Sequence, residues 1–131
     1  MAQENVALVR QWFVALAHGE LAPELWDPNL TVDNVPEFPI TGPYRGHKGL
    51  QQWWDDLSEI VDGAVIELDE AEALDDERVL TVQRLVGAFS NTGIPVNAPW
   101  VGVFSTGEGR ILRVSGYTSR EEALEAAGLS E

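Results

Sequence analysis

The sequence predicts an α+β fold in which N-terminal helices wrap a curved antiparallel sheet into a cone. In the first half of the chain, apolar residues recur at helical spacing. From Ala64 onward the pattern changes to β-rich runs separated by short turns. Strands joined by short turns pair antiparallel, and the helices are then the elements available to cover one face of the sheet.

Two long helices are predicted. The first runs from Gln3 to Ala17 and ends at Gly19, because glycine tolerates the left-handed conformation of a helix C-terminus. A helical turn is expected around Pro23 to Trp26, and the second long helix runs from Lys48 to Val61. Both helices carry an apolar face: Val6, Val9, Phe13 and Leu16 in the first, and Leu50, Trp53, Trp54 and Leu57 in the second.

Five strands and a last helix are also predicted. A first strand, Leu30 to Val35, precedes a proline-rich loop. The final helix starts at a capping box, Ser119 with Glu122 three residues later, and ends at Gly128. Four long strands fill the space between, at Ala64 to Leu74, Arg78 to Ser90, Pro95 to Ser105 and Ile111 to Thr118.

Composition narrows the function classes. We interpret residues 1–131 as one domain with a formal net charge of -14, which disfavours nucleic acid and anionic membranes as partners. Cysteine is absent, and no apolar run approaches the roughly 20 residues of a membrane span. The first four residues show no signal peptide, so a cytoplasmic location is predicted. No phosphate-binding or dinucleotide fingerprint and no metal-ligand spacing is present, so no cofactor and no metal are predicted.

Three segments resemble SnoaL-like proteins of the nuclear-transport-factor-2-like superfamily. They are the helix entry from Tyr44 to Leu50, the hairpin from Gly107 to Ile111 and the ending from Ser119 to Leu129. The resemblance covers nearly the whole chain and implies a cone with an apolar small-molecule pocket. It does not imply one activity, because this superfamily hosts isomerases, epoxide hydrolases, cyclases, dehydratases and non-enzymes.

The resemblance to limonene epoxide hydrolase is partial. Matching Thr92-Gly93 and the strand at Gly102 to that family implies that Arg84 stands at its arginine and Asn34 at its water-binding asparagine. Val86 and Gly116 occupy the places of its two acids, and neither side chain can transfer a proton.

The catalytic acids of two further enzyme families also find no direct match in this sequence. The ketosteroid isomerase resemblance implies Asn34 at the base, Trp12 at the oxyanion tyrosine and Gly102 near the second acid. An indole N–H can donate a hydrogen bond but cannot act as an acid. For SnoaL-type cyclase chemistry the nearest acid is Asp33, although strand alternation turns it outward if Val32 and Asn34 point inward. A bulge near Pro36 leaves Asp33 and Glu37 open as acids.

The predicted pocket is apolar, with Arg84 and Asn34 as its polar groups. Carrying the family positions over implies these ligand-binding residues: Trp12, Val32, Trp54, Val86, Ala98, Trp100, Val114 and Gly116. Each has a plainer interpretation. The tryptophans can be core residues, Asn34 can be a turn residue, and Arg84 can pair with Asp33, Glu67 or Asp69 on the outer face.

We therefore expect a homodimer that binds a compact hydrophobic molecule, with an oxygen of the ligand facing Arg84. An isomerase, cyclase or hydrolase-type step without the usual acids stays open. The alternatives are a non-enzymatic interaction or scaffold module and an epoxide hydrolase with acids relocated to Asp33 or Glu37. A cavity below about 100 Å³ would favour the interaction module, since ligand pockets are usually larger.

Overall fold

A computed structural model describes residues 2–33 and 43–128. Within these ranges the helices are α1 (Ala2–Ala17), α2 (Gly46–Ile60) and α3 (Arg120–Ala126), with a 3₁₀ turn at Pro23–Leu25. The strands are β1 (Trp26–Asp33), β2 (Tyr44–Arg45), β3 (Val61–Ala73), β4 (Arg78–Phe89), β5 (Pro95–Gly107) and β6 (Arg110–Tyr117).

In the described residues, the six strands form one curved, unclosed sheet in the order β2-β1-β6-β5-β4-β3. The meander from β3 to β6 is antiparallel, as predicted. One pairing departs from the predicted antiparallel sheet, because β1 pairs in parallel with β6. The sheet is therefore mixed. The chain that connects β1 to β6 contains β2, α2 and the strands β3 to β5.

The Asp27-Pro28-Asn29 segment, whose residue types favour a turn, lies inside β1. Asp27 Oδ1 accepts a hydrogen bond of 2.8 Å from the Asn29 backbone N–H. The register of β1 against β6 shifts between Trp26 and Thr31. The turn chemistry is thus present, but it bends a strand instead of ending one.

The main core lies between the concave face of the sheet and the helices α1 and α2. From α1 it takes Val9, Trp12, Phe13 and Leu16; from α2, Leu50, Trp53 and Leu57; and from the sheet, residues such as Leu30, Val79, Leu85 and Phe104. A second, smaller core lies on the convex face. There Ala123 and Leu124 of α3 pack with Leu80, Val101 and Val103.

Turn and cap chemistry sets the ends of α1 and α3. Gly19 has φ +78°, and the Gly19 and Glu20 N–H groups donate to carbonyls of the last turn of α1. Ser119 Oγ accepts from the Glu122 N–H at 3.1 Å, as expected of the first half of a capping box. None of the helices in the described ranges has the length and hydropathy that a bilayer-spanning helix needs.

Tyr44 fastens β2 to α2. Its hydroxyl donates to Asp56 Oδ2 at 2.7 Å, and Gln52 Nε2 donates to the other oxygen of that carboxylate at 2.6 Å. Burial raises the pKa of Tyr44 to about 12, and the hydrogen bond and negative charge of Asp56 add to the effect. This clamp holds the helix that carries Leu50 and Trp53 over the concave face.

We expect Tyr44 to make the free energy of unfolding fall at high pH. The folded chain keeps the phenol proton up to a pKa of about 12, whereas the unfolded chain loses it near the model value of 10.0. The stabilisation is therefore present below about pH 10 and is lost as the pH rises through 12. Urea unfolding between about pH 9 and pH 11.5 should show a steeper loss for the wild type than for Tyr44→Phe. Tyr117→Phe is the matched control and should follow the wild type; equal slopes for all three proteins would contradict the assignment.

Candidate functional site

The concave face of the sheet holds a small aromatic cavity. Its volume is about 10 Å³, close to the least space that one water molecule requires. Four aromatic side chains and three aliphatic ones line it together with Asp33: Trp12, Trp53, Trp100, Phe104, Val32, Leu50 and Val114. Trp100 stays partly exposed although it faces inward.

The register of the sheet decides which side chains face this cavity. On β5 and β6, Gly102 pairs with Gly116 and Phe104 pairs with Val114, so these four residues share the concave face. Val32 of β1 pairs with Val114 and joins them. Ala98 lies on the same face of β5 and packs against the main core. The structure thus brings most of the predicted lining residues to one face.

The predicted inward orientation of Arg84 and Val86 is wrong. Arg84 pairs with Pro99 and Val86 with Asn97, which places both on the convex face. Arg84 Nε donates to Asp69 at 2.9 Å, and its Nη2 lies 3.4 Å from Glu67. The hydrogen bond to Asp69 raises the pKa of Arg84 further above its usual value. This is the outer-face pairing that the sequence left as the alternative.

Gln83 occupies the inward position that was assigned to its neighbour. Thr81, Gln83 and Leu85 alternate inward along β4, and Gln83 pairs with Trp100. Gln83 is fully buried, and neither its Nε2 nor its Oε1 has a hydrogen-bond partner among the described residues. Sequence reasoning missed it. The available signal was its position two residues before Leu85, on the face of an alternating strand opposite to that of Arg84.

Asp33 touches the cavity, but its carboxylate is engaged elsewhere. Arg113 donates to Asp33 Oδ2 through Nη2 at 2.6 Å and Nε at 3.1 Å, and Ser115 Oγ lies 3.5 Å from the same oxygen. Asn34 and Glu37 lie outside the described residues, so the predicted role of Asn34 stays a prediction.

Two predicted tryptophans differ in their surroundings. Trp12 lines the cavity with its ring, but its indole N–H donates to the Leu21 carbonyl at 2.9 Å and is not turned to a ligand. Trp54 borders a separate open cleft of about 380 Å³ beside Glu20, Glu24 and Gln51. Trp26 is 1 % exposed, and its indole N–H has no hydrogen-bond partner in the part of the chain that the structure describes.

Asp33 is the one ionisable residue among those that line the cavity in the described ranges, and its carboxylate pairs with Arg113. The buried polar side chains there are Thr81, Gln83 and Thr106, and none of them ionises at ordinary pH. No group of three or more His, Asp or Glu side chains in these ranges is placed to hold a metal ion. What the arrangement offers is apolar contact, aromatic stacking and neutral hydrogen bonds.

Comparison with solved structures defines the class as a nuclear-transport-factor-2-like α+β cone. An NTF2-like protein from Burkholderia xenovorans LB400 is 25 % identical, with 100 % of this chain and 98 % of that chain covered and a TM-score of 0.74. Bal32a, from a soil-derived mobile gene cassette, is 21 % identical over 88 % of each chain, with a TM-score of 0.78. TerC, co-crystallised with polyporic acid, is 14 % identical over 93 % of this chain and 96 % of its own, with a TM-score of 0.76.

The family follows from the sequence profile of the SnoaL-like domain, which matches residues 9–114. That span is well over half of the chain, so the protein belongs to the SnoaL-like family. No curated protein matches the chain in sequence.

We expect Gln83→Met to stabilise the protein in the absence of a ligand. Removing an unpaired buried amide while keeping its shape should raise the free energy of unfolding by about 1–3 kcal/mol. Urea unfolding followed by circular dichroism measures the change, with Gln11→Met on the exposed side of α1 as the matched control. A loss of stability specific to Gln83→Met would mean that the amide is already paired in the folded protein.

Proposed function

We propose that this protein binds one compact, largely apolar small molecule inside the cone. The observation that carries the proposal is the aromatic cavity beside Trp100, a tryptophan that faces inward and yet stays partly exposed. Aromatic walls with few polar groups are typical of small-molecule pockets. Membership of the SnoaL-like family supports the proposal, and so does the co-crystallisation of the similar protein TerC with polyporic acid.

Binding without proton transfer is the form of this function that the described residues support best. Their buried polar side chains do not ionise, and Asp33 is held by Arg113. Val86 and Gly116, at the places of the epoxide hydrolase acids, cannot transfer a proton. An isomerase, cyclase or hydrolase-type step, or an epoxide hydrolase with relocated acids, would need Asp33 released from Arg113 or a contribution from Glu37.

A non-enzymatic interaction module is the second candidate, and the size of the cavity favours it. At about 10 Å³ the cavity is far below the range of several hundred Å³ usual for ligand pockets. In the binding proposal, the lining side chains must therefore move to admit a ligand. The cytoplasmic location and the absence of a nucleic-acid partner stay predictions.

Two measurements test the binding proposal. Native mass spectrometry of the protein as purified, followed by denaturing analysis, detects any molecule that it carries. Titration with the neutral fluorescent probe N-phenyl-1-naphthylamine then tests the cavity directly. We expect one probe per chain, and we expect Val114→Phe, which fills the cavity, to weaken binding by about tenfold or more.

Val14→Phe is the matched control, because Val14 is 60 % exposed on α1. It should bind the probe as the wild type does, and thermal unfolding verifies that both variants fold. Absence of any carried molecule together with absence of probe binding would favour the interaction module. If both variants weaken probe binding equally, or if neither weakens it, the probe binds outside the cone.

We also propose that two copies of the chain associate through the convex face. Val82 and Val86 are only partly buried there, and Val65 is 41 % exposed. An apolar sheet face open to water favours association with another surface, and a symmetric dimer is the commonest arrangement. α3 covers one part of this face and leaves the part around Val86 open.

Val86→Glu should convert the dimer to a monomer. It places a carboxylate within the apolar surface of a chain whose formal net charge is -14. Size-exclusion chromatography with light scattering gives the mass, and Val14→Glu is the matched control that should stay dimeric. A monomeric wild type, or a dimer that survives Val86→Glu, would overturn the use of this face.

A further inference from the structure

Gln83 carries hydrogen-bonding capacity that the described protein does not use. Its carboxamide offers two donors and an acceptor, and neither Nε2 nor Oε1 is paired although the residue is 0 % exposed. Buried polar groups in proteins are almost always hydrogen-bonded, to protein or to water. An amide left unpaired in a core therefore calls for an occupant that pairs with it.

The backbone of Gly102 makes room for this amide. A Cβ atom on Gly102 would lie 3.2 Å from Gln83 Nε2, 3.2 Å from Phe104 Cε1 and 2.9 Å from Thr81 Oγ1. Any side chain at this position would displace the amide or the ring. Phe104 also lines the cavity, so one ring links the amide to the aromatic space described above.

A second unpaired group borders the same ring. The buried Trp26 indole N–H has no partner, and the Trp26 ring centroid lies 6.3 Å from that of Phe104. The Trp26 ring also meets that of Trp12 at 5.1 Å in an edge-to-face arrangement. Neutral donors and one acceptor thus lie close to the ring of Phe104, which lines the cavity.

The occupant of this site must be uncharged. Among the described residues no ionisable side chain is buried, and Asp33 of the cavity lining is already paired with Arg113, so a charged ligand would lose its hydration without gaining a counter-charge. The formal net charge of -14 disfavours an anion further. A group that pairs fully with a carboxamide presents an acceptor and a donor side by side.

We propose that Gln83 is the specificity-determining residue of the cone and selects a neutral ring compound with an amide-like edge, such as a lactam or an enolised β-dicarbonyl. The Gln83 N–H donates to the carbonyl oxygen of the ligand, and Gln83 Oε1 accepts from its N–H or O–H. The aromatic side chains stack on the ring. This inference rests on the proposed function, since it names the chemical class of the molecule bound there.

The test compares two ligands on two proteins by isothermal titration calorimetry. The ligands are 3,4-dihydro-2(1H)-quinolinone, a neutral lactam, and its N-methyl derivative, which lacks the donor. The wild type should bind the lactam about tenfold or more tighter than the N-methyl derivative, as one specific hydrogen-bonded pair allows. In Gln83→Met the ratio of the two affinities should fall to the part that the size of the methyl group alone causes.

The outcomes separate this inference from the proposed function. If N-phenyl-1-naphthylamine binds in the cone but the lactam does not, or if both quinolinones bind the wild type equally, the role of Gln83 is overturned and the binding function stands. A preference of undiminished size in Gln83→Met overturns it as well. If none of the three compounds binds, the binding function fails too. The comparison on the wild type alone decides the matter if Gln83→Met does not fold.

Discussion

The packing of aromatic rings around Phe104 is the contact on which the cone depends. Phe104 is fully buried on β5, and its ring meets those of Trp12 and Phe13 from α1 at 5.8 and 5.7 Å. Trp26 adds a ring from β1, so a helix and two strands distant in sequence converge on one side chain. Aromatic pairs add to the large apolar area that such residues bury. This cluster fixes α1 against the sheet and sets the floor of the cavity.

The sheet separates the paired charged side chains from the aromatic cluster around Phe104. In the described residues the acidic side chains lie at the surface, and several pair with arginines on the convex face or at its edge, as Arg84 does with Asp69 and Arg120 does with Glu72. The pairs are partly exposed and add little stability individually. Glu67, Asp69 and Glu72 belong to β3, which ends the sheet, and charges there discourage pairing with another chain. The inner face is left neutral.

The sequence predicts the elements and the cone well, because helical spacing, turn residues and the capping box are local signals. The parallel pairing of β1 with β6 is not local, and no motif near Leu30 reveals it. Of the site, the faces of β5 and β6 could be predicted from Gly102 and Phe104. Strand β4 could not, because apolar residues lie on both of its faces: Leu85 in the main core and Leu80 under α3. Strand alternation predicts which residues share a face but not which face points inward. Alternation counted from Arg84 therefore assigns this residue to the inner face, which Gln83 occupies instead.

Because β1 pairs in parallel with β6, this part of the sheet cannot form until late in the synthesis of the chain. Val32 of β1 needs Val114 as its neighbour, and these two residues are separated by most of the chain. Until that last strand emerges, Trp12 and Trp26 lack their final covering, since Phe104 of β5 emerges shortly before it. The nascent chain must therefore carry exposed indoles through most of its synthesis, and long-range strand pairing of this kind folds slowly. A slow search for this long-range pairing is the folding consequence of placing the first long strand beside the last one.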